Sequence, residues 1–185
     1  MKLMLQADVS RCVGCLSCEV ACAVEHSASK SIPEIVYEDP APMPRIRVLR
    51  VKGVPVPVTC QHCANAPCVA ACPTGAMHYE EGGVVVVSEA RCIGCGFCVQ
   101  ACHFGHPYLH PETGIVVKCD MCIGRVRQGR RPACVEACPA GVFLFGTPVE
   151  IAKQRRSRKP LSQSELDLLI TLQGVREPPA APLSR

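Results

Sequence analysis

From Arg45 to Val51 the chain is β-rich and apolar and basic positions partly alternate, which predicts the first strand of a short hairpin. Lys52-Gly53 is a turn signal, and Val54, Val56 and Val58 then alternate with Pro55 and Pro57. Proline has no N–H to give a ladder, so this second strand belongs at a sheet edge or in an extended segment. A second hairpin is expected from Met77 through Glu81-Gly82-Gly83 to Val84–Val87. A third turns at Pro111-Glu112-Thr113-Gly114 and returns as Ile115-Val116-Val117. Short helices are expected over Cys18 to Cys22 and over Cys98 to Cys102. Past Gly146 the pattern changes to a basic run of Lys153, Arg155, Arg156, Arg158 and Lys159. A helix follows, with Ser162 as N-cap, Glu165 closing a capping box and Leu161 with Leu166 as a hydrophobic staple. Leu169, Ile170 and Leu172 extend its apolar side, Gly174 is its stop, and the Pro/Ala-rich tail from Glu177 is expected to lack order by itself.

These elements are short, and the composition gives them little to pack. The 185 residues contain no Trp, 4% aromatics, 17 Pro and 14 Gly, so large apolar side chains cannot build the whole core. Small units of this kind need covalent or metal staples, and 16 Cys supply them. Met1-Lys2-Leu3-Met4-Leu5 carries no signal-peptide apolar region or twin-Arg pair, and no stretch approaches the ~18–20 apolar residues of a membrane span. A cytoplasmic location is therefore expected, where thiols stay reduced and bind metal. The net charge of +4 is mild and selects no partner.

The cysteines fall into four groups of four with none left over. Group one is Cys12, Cys15, Cys18 and Cys22, spaced C-x2-C-x2-C-x3-C, and group three (Cys92, Cys95, Cys98, Cys102) repeats that spacing. Group two is Cys60, Cys63, Cys68 and Cys72, spaced C-x2-C-x4-C-x3-C; group four is Cys119, Cys122, Cys134 and Cys138, spaced C-x2-C-x11-C-x3-C. The repetition extends beyond the cysteines. Arg11-Cys12-Val13-Gly14-Cys15 matches Arg91-Cys92-Ile93-Gly94-Cys95, and Cys68-Val69-Ala70-Ala71-Cys72-Pro73 matches Cys134-Val135-Glu136-Ala137-Cys138-Pro139, which points to a duplicated unit.

A [4Fe–4S] cube needs one thiolate per iron. The x2 spacings let a looped backbone present three sulfurs to one cube, and the fourth cysteine, across a helical turn, ligates a neighbouring cube. Pro73 and Pro139 follow their cysteines as this arrangement requires, whereas groups one and three have Ala23 and His103 there. Zinc is the rival, because group four alone could form a tetrahedral four-thiolate site. Two runs with four cysteines inside eleven residues are too crowded for paired zinc knuckles, however, and the end of group four duplicates that of group two. Sixteen cysteines match the sixteen irons of four cubes, so no iron would be open to substrate and the cubes should move electrons only. Val13, Ile93, Phe97 and Ile123 are expected to keep water from them.

With those motifs in hand, the chain resembles the four-cluster iron–sulfur subunits of the dimethyl sulfoxide reductase type. These include the small ferredoxin-like subunits of formate hydrogenlyase, carbon monoxide dehydrogenase systems and some aldehyde oxidoreductases. The resemblance rests on the order of the four groups, on Cys60-Gln61-His62-Cys63-Ala64-Asn65-Ala66-Pro67-Cys68, on Cys119-Asp120-Met121-Cys122 and on the Cys134-to-Pro139 ending, and covers about residues 6–150. It implies an α+β fold of two ferredoxin-like halves with short hairpins and short helices around four [4Fe–4S] clusters. One half would be residues 1–59 and 111–150, with 24–59 an insertion; the other would be 60–110; and 151–185 would be a basic segment, helix and tail. It implies further that Cys12, Cys15, Cys18 and Cys138 hold one cube and Cys119, Cys122, Cys134 and Cys22 a second. Cys60, Cys63, Cys68 and Cys102 would hold the third, and Cys92, Cys95, Cys98 and Cys72 the fourth.

Among the six His, His62, His103 and His106 lie in or beside ligand runs, with roles around a cluster, at the surface or in proton-coupled tuning all open. The basic run reads as a solvated face or as a docking site for an acidic partner. The 162–173 helix reads as packing on its own domain or on a partner rather than on a membrane, since Glu165 and Asp167 disfavour anionic lipid. There is no P-loop, G-x-G-x-x-G, nucleophile elbow or H-E-x-x-H, and no catalytic residue, nucleotide, flavin or nucleic-acid partner is expected. The expectation is a non-enzymatic electron relay serving the catalytic subunit of a soluble redox complex, with further redox subunits as additional partners. The order of preference is a tungsten or molybdenum aldehyde or formate oxidoreductase, then carbon monoxide dehydrogenase, then a hydrogenase. The alternative is a free polyferredoxin.

Overall fold

The computed structural model describes residues 2–158, 160 and 162–172. Its strands form two-stranded antiparallel ladders, each set by local turn chemistry except one. That exception joins β1 (Met4–Ala7) to β8 (Phe143–Gly146), with Leu5 opposite Phe145, and so ties the start of the chain to the segment after the last cysteine. Leu5, Phe143 and Leu144 are buried in this pair. The β1–β8 ladder was not expected from the sequence, because pairing across the whole chain has no local signal.

Group one follows β1. Its last two cysteines lie on α1 (Ser17–Glu25), where the spacing of four puts Cys18 and Cys22 on the same buried face. The first expected hairpin is present as β2 (Arg47–Val51) and β3 (Val54–Val58). Its two-residue loop has Lys52 at φ 50° and Gly53 at φ 86°, the double left-handed turn whose twist suits a hairpin. The prolines, not the valines, take the inward face of β3, with Pro55 and Pro57 buried and Val54, Val56 and Val58 half-buried. Pro55 packs on the first cysteine loop so closely that a Cβ on Gly14 would lie 3.2 Å from its Cβ.

Groups two and three surround the next hairpin. α2 (Pro67–Ala70) opens with Pro67 in its first turn and buries Cys68. β4 (Met77–Glu80) and β5 (Val84–Val87) form the second expected hairpin. α3 (Phe97–Ala101) carries Cys98 but ends before Cys102, which caps it, so only one of the two expected cysteines is inside that helix. The third hairpin is minimal: β6 (Tyr108–Leu109) pairs with β7 (Val116–Val117). Group four flanks α4 (Ile123–Arg127), whose N-cap is Cys122 at φ 48°, and α5 (Ala133–Glu136), which buries Cys134; Cys119 precedes the first helix and Cys138 follows the second.

Buried residues gather in two clusters. One contains Leu5, Cys12, Cys18, Cys22, Ile46, Met121, Cys134 and Phe143, and the other contains Ala66, Cys68, Met77, Cys98 and Val116. Strand β5 serves both. Val84 and Val86 point into the first cluster and Val85 into the second, the two-residue period of a strand used to join two cores.

After β8 the chain enters α6 (Pro148–Ser157), a helix not expected from the sequence although Thr147, Pro148 and Glu150 announce it. Thr147 and Glu150 make a reciprocal capping box, and Pro148 occupies the first turn. The solvated reading of the basic run is corrected at one position. Lys153, Arg155 and Arg156 are exposed, but Arg158 folds back to bond Asp8 Oδ2 at 3.2 Å and the carbonyls of Gly141, Val142 and Phe143. α7 (Gln163–Leu172) has the expected capping box, with Ser162 N–H donating to Glu165 Oε2 at 2.8 Å and Glu165 N–H to Ser162 Oγ at 3.3 Å. Leu161, Gly174, Lys159 and the tail from Glu177 lie outside the described residues, as do the side chains of Leu166, Leu169 and Ile170. Among the described residues no helix is long and apolar enough to cross a membrane.

Candidate functional site

None of the sixteen cysteines is in a disulfide. Two small cavities account for half of them. One is lined by Cys60, Cys63, Cys68 and Cys102 together with Ala66, Pro67, Val85 and Phe104. The other is lined by Cys72, Cys92, Cys95 and Cys98 together with Ala76, Met77, Val87 and Val116. In each, three cysteines of one run meet the last cysteine of the other run.

The remaining eight sit close around α1 and α5. Burial pushes the Cys18 thiol up to about 12, with the charges of Glu19, Cys138 and Cys12 adding to it. Burial likewise drives Cys134 far above the ordinary thiol range, reinforced by Cys119, Cys22 and Cys122. Cys22 is held up at about 12 by burial, against a hydrogen bond from the Arg45 N–H to its sulfur at 3.2 Å. Cys12 and Cys18 thus share surroundings with Cys138, Cys22 shares them with Cys122 and Cys134, and Cys18 is close enough to Cys134 to act on it as well.

Backbone geometry aims donors at these sulfurs. N–H groups of His62, Met77, Met121 and Val142 reach Cys60, Cys72, Cys119 and Cys138 Sγ at 3.5, 3.4, 3.3 and 3.4 Å. The ligand loops carry left-handed residues, namely Gly14 and Leu16, His62, Gly94 and Gly96, and Met121 with Cys122. Alternation of right- and left-handed backbone turns successive N–H groups inward and makes an anion-binding concavity typical of iron–sulfur sites. Four thiolates converging in an apolar cavity repel one another and lose hydration, so they require cations at the centre. The donor set, the cavities and the N–H groups together fit iron–sulfur clusters.

Around these loops, His26, Arg45 and Lys118 carried no separate signal in the sequence, whereas His106 was marked by its place beside group three. His26 Nδ1 donates to the Cys22 carbonyl at 2.7 Å and its Nε2 meets Asp120 Oδ1 at 3.0 Å. Asp120 also holds Arg45 Nη1 at 3.0 Å and accepts from Cys122 N–H at 2.9 Å. Burial opposes its ionisation, yet the His26 hydrogen bond and the His26 and Arg45 charges outweigh it and keep the carboxyl well below the usual range. Lys118 is 1% exposed, and its ammonium bonds the carbonyls of Val85 and Cys119. His106 accepts the Cys119 N–H at 3.1 Å, and burial, with Lys118 and Arg47 nearby, lowers its pKa to about 4.

The expected water shield is only partly present. Ile123 packs against the first core, but Val13, Ile93 and Phe97 are exposed, at 40%, 67% and 52%. Cys15 and Cys95 beside them are exposed as well. Each of these side chains stands on a loop tip or at a helix start, where no other described residue covers it.

A family described as the 4Fe-4S dicluster domain matches residues 51–148, and one described as a 4Fe-4S binding domain matches residues 9–25. The chain belongs to this family of [4Fe–4S] ferredoxin-type electron-transfer proteins; its cofactors are [4Fe–4S] clusters, and it is not itself a catalyst. It is 43% identical over 149 residues to the thiosulfate reductase electron transfer subunit PhsB of Salmonella typhi, which covers 80% of this chain and 77% of that one. It is 38% identical over 152 residues to a component of the anaerobic dimethyl sulfoxide reductase of Escherichia coli, covering 80% of this chain and 74% of that one. A component of the tetrathionate reductase of Salmonella typhimurium is 38% identical over 139 residues, covering 75% of this chain, which spans 55% of that relative.

Proposed function

We propose that this chain is the electron-relay subunit of a multi-subunit reductase, holding four clusters with crossed ligands. Cys12, Cys15, Cys18 and Cys138 hold the first, and Cys119, Cys122, Cys134 and Cys22 the second. Cys60, Cys63, Cys68 and Cys102 hold the third, and Cys92, Cys95, Cys98 and Cys72 the fourth. The observation that carries this reading is the pair of small cavities, each lined by one crossed quartet. The two buried clusters follow the division into halves, 1–59 with 111–150 and 60–110, except that Val84 and Val86 join the first and Val116 the second; Ile46 of the 24–59 insertion packs in the first. Segment 151–185 is then a basic and helical appendix.

Bound clusters supply reversible one-electron transfer. The protein's part is to hold sulfur, exclude water and set local charge. The exposed Val13, Leu16, Val20, Ile93, Phe97 and Phe104, near the exposed Cys15 and Cys95, support faces that a partner covers. The partner we favour is a molybdenum- or tungsten-type catalytic subunit. Relatives named for thiosulfate, tetrathionate and dimethyl sulfoxide reductases, at 43%, 38% and 38% identity, stand beside a formate dehydrogenase iron–sulfur subunit at 36%. We therefore place a reductase ahead of an aldehyde or formate oxidoreductase. Purification under anaerobic native conditions tests this. A catalytic chain should co-purify in fixed ratio, whereas a fully loaded stable monomer would overturn the subunit reading in favour of a free polyferredoxin.

A further inference from the structure

His62 stands between Cys60 and Cys63 and is 1% exposed. Its position is constrained from two sides. The backbone is left-handed at φ 41°, and Nδ1 accepts the Val85 N–H of β5 at 3.0 Å. An imidazole nitrogen that accepts an N–H carries no proton of its own, so in the neutral ring the proton sits on Nε2. Acceptance at Nδ1 by itself excludes the doubly protonated ring. Nε2 is buried without a hydrogen-bond partner among the described residues.

A buried N–H without an acceptor costs ~1–3 kcal/mol, so such a group needs an explanation. The ring lines the cavity of Cys60, Cys63, Cys68 and Cys102. Gln61 and His103 also line it, and Gln61 Nε2 donates to the Thr59 carbonyl at 3.1 Å. Lys118 gives its ammonium to the Val85 and Cys119 carbonyls, and His106 Nε2 takes the Cys119 N–H. Ala66, Pro67, Val85 and Phe104 side chains offer no acceptor. Four cysteine sulfurs line this cavity with the ring and are acceptors for its N–H.

We propose that His62 donates its Nε2–H to a sulfur of the cluster held by Cys60, Cys63, Cys68 and Cys102, and thereby raises that cluster's midpoint potential. The inference rests on the ligand assignment above. A hydrogen bond to sulfur withdraws charge and favours the reduced, more negative state, which moves the potential upward. Fixed between Val85 N–H and the cavity, the imidazole places this donor without reorganisation when the electron arrives. Lys118, held through the Val85 carbonyl, adds positive charge beside the same cavity.

The test is an EPR-monitored redox titration of the full-length, cluster-loaded protein as native, H62F, H62Q and C60S forms. Phenylalanine keeps the ring without a donor, and glutamine keeps both an acceptor for Val85 N–H and a donor. H62F should lower one midpoint potential and leave three unchanged, and that cluster should be the one altered in C60S. H62Q should lie closer to native. Unchanged potentials in H62F, or equal shifts in H62F and H62Q, would overturn the inference. Should H62F fail to load, pulsed EPR of native protein labelled with ¹⁵N in histidine decides. A ¹⁵N coupling at the cluster altered in C60S supports the hydrogen bond, and its absence there removes it. Iron and sulfide short of four clusters in native protein would remove the ligand assignment and this inference together. A full count with no response to H62F removes this inference alone.

Discussion

Arg125 donates through Nη1 to Glu25 Oε2 at 2.6 Å, and this contact ties α4 to the end of α1 across 100 residues of chain. Arg125 is 8% exposed and its guanidinium also bonds Glu136 on α5 and the Arg131 carbonyl at 2.9 Å. Three helices bearing Cys18, Cys22 and Cys134, with Cys122 at the start of one, therefore converge on one side chain. Arg125→Met should leave the half-buried Glu25 with only the exposed Lys30 ammonium, 3.9 Å away, to offset its charge, at a cost of about 3 kcal/mol or less. Thermal melts of the loaded protein should show a clear fall in Tm, with an intermediate value for Arg125→Lys. An unchanged Tm would remove the clamp.

Crossed ligation predicts damage at a distance in sequence. Replacing Cys22 with Ser should alter the cluster of Cys119, Cys122 and Cys134 and spare that of Cys12, Cys15 and Cys18. EPR with iron analysis reads this directly. Loss of the Cys12 cluster would show the pairing to be wrong.

Gly94 sits in the group-three loop at φ 67°, and a Cβ there would lie 2.7 Å from the Gly114 carbonyl oxygen. Left-handed backbone costs an L-residue ~1–2 kcal/mol even before that clash. Gly94→Ala should push the Cys92–Cys95 loop away from the β6–β7 turn and impair loading of one cluster. A full iron and sulfide count in the variant would contradict this.

The Asp8–Arg158 contact has a pH signature. Burial opposes ionisation of Asp8, but hydrogen bonds from Ser10 and Arg158 and the Arg158 and Arg11 charges prevail and lower its pKa. A carboxyl depressed in the folded state stabilises it above the unfolded pKa of about 3.9, and that contribution is lost as pH falls through the folded value. Hydrogen exchange of α6 amides, corrected for intrinsic rate, should therefore accelerate on acidification below about pH 4, more in native protein than in Arg158→Ala. Identical pH profiles would separate α6 from this contact.

Iron removal should unfold much of the chain. The buried thiols at Cys18, Cys22, Cys98 and Cys122, pushed by burial to about 12, 12, 11 and 11, hold protons that iron must displace. Loading should thus release protons and weaken as pH falls. Chelation followed by circular dichroism should show loss of helix signal. A native-like spectrum after complete iron removal would mean that the apolar residues suffice.

The three hairpins and the α7 capping box were legible because a turn or a cap is written in neighbouring residues, as in Lys52-Gly53 and Ser162 with Glu165. The same kind of signal at Thr147-Pro148 with Glu150 went unread behind the basic run. Inwardness was harder. The alternation of valine and proline in β3 did not say which set faces inward; Pro55 and Pro57 do, because Gly14 admits a proline ring against the first cysteine loop. Val13, Ile93 and Phe97 looked like shields and stand exposed, because apolar character alone does not say what will cover a side chain.

By itself the sequence determined the chemistry: sixteen thiols in four repeated spacings commit the chain to [4Fe–4S] clusters, since sulfur reach along a loop is a local property. Tertiary structure alone decided which distant groups share a cavity with those sulfurs. The β1–β8 ladder, the two faces of β5, and the burial of Lys118 and His62 beside Cys60 join segments far apart in the chain. Such meetings depend on which faces pack together once the whole chain has folded, and spacing along the chain cannot encode them.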